Sequence, residues 1–297
     1  MSLFDGVSNF FSAVTSFVSS VTDSVRGFIN DVSDVIANVI EEFEPAINLI
    51  CIATTVAIMI LFPELDIPAI IGIVATISDM VSKIADMTMD EPVNIDPVDL
   101  AVRAELSDKK PEDFDSYNDY IKHLANDIKS DKLKLENLSG QEKMGYSLVG
   151  LAIREKQINQ NSNMEIQPET YVDAYKANMT AEELAEMIGI NSEKLEEMPR
   201  LGDYFEGEKL DSEKQSQMRE SLHDAISATS PEMSEDEIDE RIYDLKENYL
   251  TPDEKIEETE KTDISDWAEE KTSDSASDEG VFDNGIEEEA ANNEAGD

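Results

Sequence analysis

The chain has 297 residues, 40% of them hydrophobic, and carries a formal net charge of -45. Such a charge disfavours nucleic acid and anionic lipid headgroups as direct electrostatic partners, because each phosphate contact adds repulsion where binding normally gains from counterion release. The single cysteine, Cys51, excludes an intramolecular disulfide framework and a cysteine-based zinc site, and its apolar neighbours make it a small buried hydrophobe.

Residues 1–90 are expected to form one apolar helical module. Val7, Phe11, Val14, Val18, Val21, Val25, Phe28, Val32, Val35 and Val39 alternate at spacings of four and three, a heptad seam. Phe4, Phe10, Phe17, Ile29, Ile36, Ile40 and Phe43 widen it, while Ser8, Ser12, Ser19, Asp23, Asn30, Asp34 and Glu41 fall on other faces. Valine is an indifferent helix former, so burial of the stripe must hold this helix. From Met1 to Phe11 there is no Lys or Arg, and an amphipathic segment follows, so no secretory signal of the usual kind is expected.

Ala46 to Phe62 is a run of seventeen residues without a charge, bounded by Pro45 and Pro63. At about 1.5 Å per residue it reaches about 25 Å, the short end of a bilayer span. After a Pro-containing turn the chain re-enters an apolar stretch at Ala69, which becomes amphipathic as Val74, Ile77, Val81 and Ile84 run beside Asp79, Lys83 and Asp86. Two apolar helices joined in this way predict a hairpin, with Leu49, Ile52, Val56, Ile60, Ile70, Val74 and Ile77 on surfaces to be buried in lipid or in protein. Arg26 and Lys83 are the cations before residue 92, so positive-inside topology receives no support. With thirteen acidic residues between Met1 and Glu91, any insertion into lipid is expected to be favoured by acid.

Residues 91–112, rich in Pro and acid, read as a linker, and residues 113–250 as a second, acidic helical domain. Its first helix places Tyr117, Tyr120, Ile121, Leu124 and Ile128 on one face, and a second, after the break at Ser139 and Gly140, buries Met144, Leu148, Leu151 and Ile158. Ser234 and Glu237 have capping-box spacing ahead of a helix carrying Ile238, Ile242, Leu245 and Tyr249. Between them, Met179 to Met198 resembles the helix-turn-helix pattern of small transcriptional regulators, with Thr180 as N-cap, Gly189 at the turn and Leu195 in the second helix. Glu193, Glu196 and Glu197 stand where that family needs cations or amides, so DNA readout is not expected and a packing hairpin is. From Thr251 to Asp297 eighteen acids face three lysines, and apolar residues are too sparse to offset ordering entropy. This stretch, 251–297, reads as a disordered tail that serves as a solvating anionic brush, the alternative being a docking peptide around Ile264 and Trp267 for a basic protein partner.

The chemistry of catalysis is not legible. His123 and His223 lie in separate helical segments and read as surface residues, without a nucleophile beside either. Phosphate-cradling loops, zinc-protease helices and nucleophile elbows are missing from the sequence, and the acids from Asp274 to Asp283 lack the ligand spacing of a calcium loop. The expectation is therefore an all-α, non-enzymatic protein without cofactor, metal or nucleic-acid partner. It is expected to be membrane-active or membrane-associated through its hydrophobic hairpin, as a cargo or effector delivered outside the producing cell by a bacterial or phage machine through a non-classical route. The alternative is a structural or adaptor protein that self-assembles through the Val and Phe seam and buries the hairpin in a homo-oligomer.

Overall fold

The computed structural model describes residues 45–63, 66–207 and 209–251. The seam positions from Val7 to Val39 and the acidic stretch 252–297 lie outside these residues. Eleven α-helices are present among the described residues: α1 Pro45–Leu61, α2 Ile67–Met87, α3 Pro97–Leu106, α4 Tyr117–Asp127, α5 Lys132–Asn137, α6 Gly140–Ser162, α7 Pro168–Lys176, α8 Ala181–Ser192, α9 Leu201–Glu206, α10 Ser212–Thr229 and α11 Glu235–Leu250. A 3-10 turn spans Pro111–Asp113, and the described residues contain no strand, only an isolated bridge between Glu165 and Glu197. The all-α expectation holds.

The helix starts are chemically explicit. Asp66 caps α2 by accepting from the Ala69 amide at 3.0 Å, and Asp96 caps α3 by accepting from Val98 and Asp99 amides at 2.9 and 3.1 Å. Ser139 with Glu142, Thr180 with Glu183, and Ser234 with Glu237 form reciprocal capping boxes at α6, α8 and α11. Each satisfies two amides that the helix itself leaves without partners.

The long helix α6 organises the core. Helices α1, α2 and α3 all pack on it, α1 also lies on α7, and α8 bridges α2 to α10. Buried apolar residues from Ile47 to Tyr249 form one continuous cluster. The stretch 91–112, read as a linker, contains α3, where Leu100, Ala101 and Val102 are all 0% exposed. Three consecutive buried positions require cover all round, and α4, α5, α6 and α2 supply it. Close approach of α6 to the start of α3 depends on Gly150, since a Cβ there would meet the Pro97 carbonyl carbon at 2.7 Å and its Cα at 2.9 Å.

The helix-turn-helix pattern is not realised. Helix α8 runs straight through Gly189 to Ser192, and Leu195 belongs to no helix. The chain instead extends so that Glu165 donates to the Glu196 carbonyl at 2.8 Å and accepts from the Met198 amide at 3.0 Å. A backbone partner distant in sequence takes the groups that a second helix would have used. Beyond it, the fully buried Asp173 of α7 accepts from Arg200 at 2.7 and 2.9 Å and from the Gly202 amide at 2.9 Å, fixing the entry to α9.

Candidate functional site

The candidate site is the apolar helix pair and the surface that receives it. Helix α1 carries no charged residue, and its two threonines are satisfied internally: Thr54 donates to the Ile50 carbonyl at 3.0 Å and Thr55 to the Cys51 carbonyl at 2.8 Å. Ile47, Cys51 and Ile58 are 0% exposed, and Val56 is buried beside them. Of the expected burial positions on α1, Leu49 and Ile52 are half-buried and Ile60 is 52% exposed. On α2, Ile70, Val74 and Ile77 are all buried, as expected.

Both helices are covered mainly by other parts of their own chain. Each makes more of its contacts with α6 than with its neighbour, so the pair is spread over α6 instead of closing on itself. Ser78 donates to the Ser147 carbonyl at 3.2 Å, and Phe62, just after α1, packs edge-on against Tyr175 of α7 at 6.0 Å between ring centres. Fully burying an Ile or Val side chain contributes about 1.5–3 kcal/mol, so the ten buried Ile and Val positions of α1 and α2 make detachment of the pair expensive. By length and composition α2 is the one described helix able to cross a membrane, yet half of its apolar window is inside the protein. The seventeen-residue α1, read from sequence as the borderline span, is the more deeply covered of the two.

Two adjacent charged residues on α6 face this junction. Arg154, 0% exposed, stands 3.2 Å from the Asp86 carboxylate, donates to the Val93 carbonyl at 2.7 Å and donates to Gln157 Oε1 at 3.0 Å. Gln157 in turn donates to Asn118 at 2.9 Å, and Asn161 donates to Thr88 Oγ1 at 2.8 Å, so a polar network binds the end of α2 to α4 and α6. Desolvation pushes the Asp86 carboxyl up, with Arg154 opposing that rise. Glu155 turns the other way. It is 1% exposed, its Oε2 has no hydrogen-bond partner among the described residues, and its charge acts on Cys51 of α1 and Tyr171 of α7. Burial raises its pKa well above the ordinary carboxylate value.

These residues were missed in the sequence, although the signal was present. Leu148, Leu151 and Ile158 set a buried stripe, and Glu155 lies four residues after Leu151 and three before Ile158, on that stripe. His223, 28% exposed at its side chain, lies at the surface as read, whereas His123 is more covered than that reading. His123 is 11% exposed at its side chain, stacks near Phe114 at 5.2 Å and meets Asp127 at 2.7 Å, while His223 meets Glu235 at 2.8 Å. The described residues hold no cluster of three or more potential metal ligands. Comparisons with protein-family models, with curated proteins and with solved structures find no match for this chain.

Proposed function

We propose that the chain is a non-enzymatic, self-assembling adaptor, with residues 45–251 as an acidic helical body and the Val and Phe repeat between residues 7 and 39 as the contact between copies. The observation that supports this reading is the cover of α1 and α2 by α6 and α7 of the same chain. An apolar pair already buried at home asks for neither lipid nor other copies. The heptad repeat is then the feature whose spacing calls for a partner helix. Its polar positions are Ser, Thr, Asn and Asp, and Arg26 is its lone cation, whereas helices that lie on anionic bilayers line their polar face with Lys and Arg.

A second reading, membrane association by conditional insertion, is favoured by one observation: the length and apolarity of α2. Insertion would require the pair to leave α6 and to break the Arg154–Asp86 contact. Sedimentation of the full-length chain and of a Val18→Asp/Val21→Asp/Val25→Asp variant, together with liposome flotation of the full-length chain, separates the readings. Assembly predicts several chains per particle for the native protein, one chain of 33.1 kDa for the variant, and no flotation. A native monomer that floats through its residues 1–90 would instead sustain the membrane reading.

A further inference from the structure

We propose that Glu155 is a protonation-controlled lock on α1: with its carboxyl neutral the charge-free helix lies closed on α6, and with the carboxyl ionised that helix opens. Glu155 sits mid-helix on the face of α6 that receives the apolar cluster, 1% exposed, and its Oε2 lacks any hydrogen-bond partner among the described residues. Two further buried oxygens, Thr170 Oγ1 and Tyr171 Oη of α7, also lack partners there. A neutral carboxyl tolerates such a place far better than a carboxylate, which has neither water nor a donor to replace it.

Among the described residues, no neighbouring element supplies a counter-charge to Glu155. Helix α1 presents the Cys51 thiol and no charge. Lys156, next on α6, is the one cation acting on Glu155, and Glu169 in α7 and Glu165 before it oppose ionisation. On the other elements packed against α6, the charged and titratable groups nearest the core are engaged elsewhere: Asp86 of α2 with Arg154, Asp99 of α3 with Arg103, His123 of α4 with Asp127, and Glu183 of α8 with Arg241. The remaining charges of α2, Asp79 and Lys83, act on each other. A group that binds its proton more tightly in the closed form favours closure at low pH, and that contribution is lost as pH rises through its raised pKa. Of the described side chains around it, those of α1 are tied to the body by apolar packing alone, so α1 is the helix that yields.

Cys51 is a built-in reporter, since it is the only cysteine and is 0% exposed under the closed helix. The experiment is maleimide labelling of the full-length protein from pH 6 to pH 9, each rate divided by that of the urea-unfolded chain at the same pH to remove the thiol's own titration. Between the ordinary carboxylate range and the raised pKa of Glu155, the native protein is expected to lose protection by up to about tenfold per pH unit. Glu155→Gln and Glu155→Met, both permanently neutral, are expected to keep constant protection, with native helix content confirmed by circular dichroism. Equal pH dependence in native and variant proteins overturns the proposal. So does constant protection in the native protein, or labelling that rises only in step with loss of helical signal from the whole chain.

Discussion

Arg154 and Asp86 meet at 3.2 Å across the α6–α2 contact, the arginine fully buried and the aspartate 19% exposed at its side chain. The asymmetry decides which partner is the more costly to remove. Truncating Asp86 strands a buried guanidinium that keeps only the Val93 carbonyl and Gln157. Asp86→Ala is expected to cost about 3 kcal/mol, as loss of one partner of a buried pair does. Replacing both, Arg154→Met with Asp86→Leu, is expected to recover most of that stability. Urea unfolding of the three proteins checks the order, and a double variant no better than Asp86→Ala would remove the stranded-charge explanation.

Two glycines make opposite predictions. At Gly150 an added methyl group would press on the backbone of Pro97, which cannot rotate away, so Gly150→Ala is expected to destabilise the protein by about 1–3 kcal/mol. Gly189, exposed within α8, has nothing within 4 Å of its would-be Cβ. Gly189→Ala is therefore expected to stabilise by about 0.5–1 kcal/mol through backbone entropy alone. Thermal melts of both read the sign directly.

The buried carboxyls give the pH dependence a direction. Desolvation raises the pKa values of Glu155, Glu169, Asp79 and Asp86 in the fold. Each then contributes stability that is complete below the ordinary carboxylate range and is lost as pH rises through the raised value. The melting temperature is expected to be higher at pH 5 than at pH 8, and the net charge of -45 adds repulsion in the same direction. Acid thus tightens the grip of α6 on the apolar pair, which runs against the expectation that acid favours its release into lipid. A melting temperature that falls between pH 8 and pH 5 would contradict this.

The periodic apolar stripes on α2, α4 and α11 were legible because each buries one face, and Thr180 and Ser234 marked two helix starts correctly, whereas α6 is buried on all sides from Met144 to Glu155 and its stripe showed only part of that burial. Helix α3 was hidden in plain view. Asp96 followed by Pro97 is an N-cap with proline at the first helical position, a start signal that acidic, Pro-rich surroundings disguised as a linker. The second helix expected around Leu195 failed for another reason: its backbone is claimed by Glu165, thirty residues upstream of Leu195, and no local pattern reports that pairing. The candidate site was half legible. The sequence announces two apolar helices, but whether lipid, copies or α6 covers them depends on long-range packing, and Arg154 and Glu155 read as ordinary polar positions until that cover is known.

Hydrogen exchange of the α1 and α2 amides tests the claim that this pair is the core of its own domain. It should be run at pH 5, on the acid side where Glu155 keeps α1 closed, on the Val18→Asp/Val21→Asp/Val25→Asp variant, alone and with neutral liposomes. The account predicts that amides from Ile50 to Met59 and from Ile73 to Ala85 exchange as slowly as those of α6, with or without lipid. Fast exchange in the variant alone, slowed only by liposomes, would contradict it and show that the pair relies on a bilayer for its burial.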